Sequence, residues 1–142
     1  MQLDFLLLAD RAEVLNGKLY MLGGGFDHIG VPQLPGVLPF DIAIGIFVDY
    51  LETSDTHTLT VTIEDADNSP HIGPITIPFA TGRPPGLPPG DGIRFMAVLR
   101  GPFPIAKDGS YQVVAAVNKH RFPGTPFRVI AAPTPPQPHP GE

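Results

Sequence analysis

Apolar and polar residues alternate along this chain with a period of two. In "FDIAIGIFVDY", Phe40, Ile42, Ile44, Ile46, Val48 and Tyr50 share one face, while Asp41, Ala43, Gly45, Phe47 and Asp49 take the other. In "THTLTVTIED", Leu59, Val61 and Ile63 point one way and Thr58, Thr60, Thr62 and Glu64 the other. Successive side chains of a strand project to opposite faces, and both runs are rich in β-branched residues, so each predicts a half-buried strand. Shorter runs repeat the pattern. Ile75, Ile77 and Phe79 alternate in "ITIPF", and Ile93, Phe95, Ala97 and Leu99 in "GIRFMAVLRG". Tyr111, Val113, Ala115 and Val117 alternate in "GSYQVVAAVN", and Phe127 and Val129 in "TPFRVIA". Pro78 has no N–H to give a ladder, which predicts a sheet edge or a strand end there.

The opening reads as two strands, "LDFLLLAD" and "AEVLNGKLYML", the second broken by Asn16-Gly17. Both residues tolerate positive φ, so the pair predicts a type I′ hairpin turn. Gly23, Gly24 and Gly25 follow. They match neither the dinucleotide-binding pattern nor the phosphate loop, which ends in Gly-Lys-Ser/Thr ahead of a helix. "FDHIGVP" cannot start a helix, so the triplet predicts a bend or bulge in a strand. The count comes to about eight strands with no helical period. This predicts an all-β fold, a two-sheet antiparallel β-sandwich over residues 1–132. "TGRPPGLPPGDG" (residues 81–92) predicts a loop stiffened toward polyproline II, and "PTPPQPHPGE" (residues 133–142) an extended proline-rich tail.

Composition narrows the function classes. A chain of 142 residues has room for one domain, and one of this size buries enough surface to need no staple. Cysteine is absent, which removes disulfides, thiolate-bound metals and cysteine nucleophiles. The formal net charge is −5 with nine scattered basic residues, a balance that argues against nucleic acid and anionic membranes as partners. The N-terminus lacks a basic segment, and Asp4 and Asp10 interrupt its apolar run, so it does not read as a signal peptide. Nowhere do eighteen apolar residues run together. A cytoplasmic protein without a membrane span is expected.

Candidate chemistry is sparse. Asp27 and His28 are adjacent and, on a strand, would face opposite ways. His57, His71, His120 and His139 show no metal-ligand spacing. In "EDADNSPH", Asp65, Asp67 and Asn68 are oxygen donors of the kind that hold calcium, although the same residue types make ordinary hairpin turns. Asp41 and Asp49 lie roughly 26 Å apart along their strand and cannot form a dyad. None of the three serines stands in a nucleophile-elbow sequence. No catalytic residue and no cofactor are expected.

Two stretches carry a resemblance. "AKDGSYQVVAAVNKHRFPGTPFRVI" is similar to the last hairpin of immunoglobulin-like and C2-like sandwiches, which implies that Tyr111 is a tyrosine-corner residue tied to nearby backbone. The Cys and Trp landmarks of antibody domains are missing. The opening, with Leu-Leu-Ala-Asp, Asn-Gly-Lys-Leu and Gly-Gly-x-Asp, resembles a family of small uncharacterised bacterial β-sandwich proteins, which implies no activity. The expected function is therefore a non-enzymatic protein–protein interaction or accessory module, binding a protein partner or forming a homodimer. Its candidate contacts are the apolar excess at Leu6, Leu8 and Phe47, and the proline-rich loop at Arg83, Pro84, Pro85 and Leu87. The alternatives are calcium or carbohydrate binding by end loops and, third, an enzyme assembled from separate strands around Asp27 and His28.

Overall fold

The computed structural model describes residues 1–131. Its strands are β1 (Gln2–Leu15), β2 (Lys18–Gly24), β3 (His28–Val31), β4 (Gly36–Leu38), β5 (Asp41–Val48), β6 (His57–Asp65), β7 (Pro70–Phe79), β8 (Ile93–Leu99), β9 (Phe103–Ile105), β10 (Gly109–Val117), β11 (His120–Arg121) and β12 (Thr125–Ala131). One 3-10 turn, Tyr50–Glu52, interrupts them. Among the described residues there are twelve strands where about eight were expected. The additions are β3, β4, β9 and β11, each two to four residues long and set among prolines or glycines, too short for a period of two to register.

The strands form two main sheets, ordered β2-β1-β5-β8 and β3-β12-β10-β6-β7, with β11 beside β10 and a separate β4–β9 ribbon. All pairs are antiparallel except β12 with β3. The sheets face each other across one core. Leu6, Leu8, Ile42, Ile44, Ile46, Val48 and Leu99 come from the first sheet, and Leu59, Val61, Ile63, Tyr111, Val113, Ala115, Val117, Phe127 and Val129 from the second. Leu6 and Leu8 apart, these are the faces that the alternation selects, and the fold is the expected all-β sandwich. Burying apolar side chains at about 25 cal/mol per Å² is what holds the sheets together. Phe40 closes one end against Phe26, Phe103 and Phe127, with ring centroids 5.6 to 6.0 Å away. On the open side, Phe79 of β7 stacks on Phe95 of β8 at 4.1 Å.

The resemblance in the last hairpin has a structural counterpart at Tyr111, whose hydroxyl donates to the Lys107 carbonyl at 2.6 Å. A second two-residue turn joins β10 to β11, with both Asn118 and Lys119 at positive φ. The Asn118 side chain accepts from Thr58 N–H and meets Nδ1 of the buried His57, fastening that turn to β6.

Candidate interaction surface

The first strand outruns its sheet. Pairing of β1 with β5 ends at Ala9–Asp41, but pairing of β1 with β2 continues to Leu15–Lys18. Residues 10–23 therefore extend as a two-stranded ribbon, turned by Asn16 and Gly17, both at positive φ. Two polar ties hold its base. Asp41, nearly fully buried, accepts from Ala12 N–H and from Gly101 N–H, and Arg100 donates to the Ala12 carbonyl. At the far end of β2, Gly23 and Gly25 have positive φ, and Gly25 N–H still reaches the Leu8 carbonyl. A side chain at Gly23 would run into the Asp10 carboxylate, so the strand leaves the sheet here only because glycine permits it.

The two faces of the ribbon differ. One contributes Ala12, Leu19 and Met21 to a small second cluster with Ala9, Ala43, Phe5 and Val98 on the outside of the first sheet. The other carries the cross-strand pairs Arg11–Leu22, Glu13–Tyr20 and Leu15–Lys18. Leu15, Tyr20 and Leu22 are 52, 54 and 71 % exposed on that face, and Val14 is exposed as well. Beyond the ribbon, only Val37, Leu51 and Ile130 are exposed large apolar residues among the described residues. The sequence shows Tyr20 and Leu22 but not that the pairing of β5 with β1 ends at Ala9.

Several sequence-predicted contacts lie elsewhere. Leu6 and Leu8 are not surface residues: they are 6 and 2 % exposed and pair with Ile44 and Ile42 inside the sandwich. The reason is a register shift between Leu3 and Phe5, which turns Leu3, Leu6 and Leu8 inward and leaves Phe5 and Leu7 outside. Phe47 faces outward but is half-buried, its ring against Gly92 at the end of the proline-rich loop. That loop is not extended polyproline II. It makes two consecutive turns, closed by Leu87 N–H to the Pro84 carbonyl and Asp91 N–H to the Pro88 carbonyl, with Gly86 and Gly90 at positive φ. Pro-Pro-Gly fits such turns, proline at the second position and glycine at the third. Arg83 is committed within the chain. It donates to Thr53 Oγ1 at 2.8 Å and to the Tyr50 carbonyl, and its guanidinium lies 4.0 Å from the Tyr50 ring centre. Pro84 and Pro85 stay exposed and Leu87 is half-buried. The extended proline-rich tail expected over residues 133–142 lies outside the described residues.

The polar candidates resolve into structural roles. Asp65, Asp67 and Asn68 form the β6–β7 turn. One Asp65 oxygen accepts from Asp67 N–H and Ser69 N–H, and the other meets His71 Nε2 at 2.8 Å. The His71 contact and then the Ser69 N–H hold the Asp65 carboxyl below its ordinary value. Asn68, at positive φ, accepts from Gln112. The Asp65 oxygens thus serve the turn and His71, and among the described residues no group of three or more His, Cys, Asp or Glu side chains gathers as a metal site.

Glu64, expected on the solvated face, is only 4 % exposed. It accepts from Arg121 through both terminal nitrogens, at 2.9 and 3.1 Å, and from Gln112. Chiefly through Arg121, its carboxyl titrates below its ordinary value despite the burial. Asp27 precedes β3 instead of belonging to it, so alternation does not separate it from His28, and the two side chains bond directly. Arg128 stands between His28 and Ser110 in the strand register and donates to Ser110 Oγ. The backbones of His28 and Ser110 are two strand spacings apart, about 10 Å, and no hydrogen bond joins the two side chains as nucleophile and base.

This arrangement defines a two-sheet β-sandwich whose main uncovered apolar feature is a protruding hairpin. A model of a family of unknown function, DUF6941, matches residues 4–130, and the chain belongs to that family. No curated protein and no solved structure matches the chain. Among the described residues, no helix is long and apolar enough to cross a membrane.

Proposed function

We propose that the protein is a non-enzymatic interaction module whose contact surface is the outer face and free edge of the β1–β2 ribbon. The observation that carries this reading is the exposure of Leu15, Tyr20 and Leu22 on one face of a hairpin that no other element covers among the described residues. Isolated exposed apolar side chains are ordinary on a protein surface, but a contiguous set on a protruding ribbon is a feature of protein contacts. The edge adds to it. A strand with one unpaired side offers main-chain donors and acceptors to an incoming strand. The scattered chemistry of Asp27, His28, Ser110 and Asp65, each group engaged by a neighbour, favours binding over catalysis.

Capture from native lysate tests this reading, with the full chain compared with its Tyr20→Lys/Leu22→Lys variant. Both positions are exposed, so the variant keeps the wild-type circular dichroism spectrum. A protein retained in stoichiometric amount by the wild type, a second copy included, and lost by the variant is the expected result. Equal retention by both, or none by either, contradicts it.

A further inference from the structure

We infer that the ribbon's partner is a second copy of this chain, joined by antiparallel pairing of β2 with β2. The inference rests on the reading of the ribbon as the contact surface. Leu15 and Lys18 flank a two-residue turn, so their main-chain groups face each other. With a period of two, Leu19, Met21 and Gly23 then direct their N–H and C=O groups toward the open edge.

A twofold axis through Met21 places Met21 against its own copy and Leu19 against Gly23 of the second copy. It also sets Tyr20 of each chain opposite Leu22 of the other, covering two of the most exposed apolar side chains with each other. The neighbouring register, centred on Tyr20, would instead put Lys18 opposite Leu22.

Charge favours this contact over others between two copies. The ribbon from Asp10 to Gly24 carries two acids, Asp10 and Glu13, and two bases, Arg11 and Lys18, so the entire net charge of −5 lies outside it. Two ribbons meet without net repulsion between them, while the remainder of each chain carries the whole net negative charge. Across the paired edge the rows read Arg11, Leu22, Tyr20 of the copy, Glu13 of the copy, with no like charges side by side.

The other outer edges of the two main sheets are defended. β7 carries Pro70, Pro74 and Pro78, and β3 is four residues long with Pro32 after it. On β8, Arg94 is paired with Asp4 at 2.7 Å, and no large apolar side chain is exposed. β2 has no proline, and its one charge is at its first residue. Natural sheets block edges with such devices, and β2 largely lacks them.

Sedimentation velocity of the full chain over a wide concentration range, together with cysteine cross-linking, tests the inference. The chain has no cysteine, so introduced ones report alone. The wild type is expected to sediment as a dimer and the Leu22→Lys variant as a monomer. Mild oxidation should convert Tyr20→Cys/Leu22→Cys to a covalent dimer and leave Tyr20→Cys alone uncross-linked. A wild type that stays monomeric, a dimer unmoved by Leu22→Lys, or efficient cross-linking through Tyr20→Cys alone would overturn it. A monomeric wild type that still retains a different protein through Tyr20 and Leu22 in the capture experiment would remove this inference and leave the interaction reading standing.

Discussion

Leu8 and Leu22 are the same residue type on adjacent strands, and the structure gives them opposite roles. Leu8 is 2 % exposed and pairs with Ile42 in the core, whereas Leu22 is 71 % exposed on the ribbon. Replacing Leu8 with alanine removes three carbon groups from the interior, at about 0.8 kcal/mol each. A residual cavity of roughly 50 Å³ adds about 1 kcal/mol more. The expected cost is thus about 3–4 kcal/mol, a large part of a domain's total stability of roughly 5–15 kcal/mol. For a domain of this size each kcal/mol moves the melting temperature by roughly 3–5 °C, so a fall of about 10–20 °C is expected. Leu22→Ala should stay within about 0.5 kcal/mol of the wild type. Urea titrations of both variants at a concentration low enough to keep the chain monomeric would measure this. A cost for Leu8→Ala no larger than that for Leu22→Ala would refute the inward turn of β1 and the register shift at Asp4 that produces it.

Three further outcomes are expected. Tyr111→Phe loses the bond from the hydroxyl to the Lys107 carbonyl and should destabilise by about 0.5–1.5 kcal/mol in urea unfolding, with no change of oligomeric state. Gly23→Ala forces a side chain into left-handed backbone beside Asp10 and should cost about 1–2 kcal/mol, read as a lower melting temperature. Glu64 has a folded-state pKa depressed below its ordinary 4.5, so its contribution is complete above that value and is lost as pH falls through the lower folded one. Unfolding free energies measured down the acid range should therefore fall less steeply in Glu64→Gln than in the wild type, and parallel curves would contradict the pairing with Arg121.

Much of the sandwich was legible from one rule. Ile42, Ile44 and Ile46 on β5, Leu59, Val61 and Ile63 on β6, and Val113, Ala115 and Val117 on β10 recur with a period of two, and all nine are buried as that period demands. Pro78 likewise falls on an edge strand. Alternation failed where the chain departs from regular pleating. The shift between Leu3 and Phe5 exchanged the faces of β1, and Leu6 and Leu8 went inside with it. β3, β4 and β9 are too short, and too close to prolines, to give a periodic signal.

The candidate surface was less legible, because exposure depends on where a neighbouring strand stops. Nothing local to Tyr20 or Leu22 says that β5 ends its pairing at Ala9. Glu64 was hidden for a related reason: Arg121, 57 residues away in sequence, covers it only once β11 folds onto β10.

Hydrogen exchange of the full chain at low and high concentration, followed by mass spectrometry of its peptides, tests the central claim most directly. The ribbon account predicts that concentration slows exchange in the segment from Lys18 to Gly24, where Leu19 and Met21 N–H groups face the open edge, and leaves β7 and β8 unchanged. Protection that never rises in that segment, or that rises along another edge instead, would contradict it.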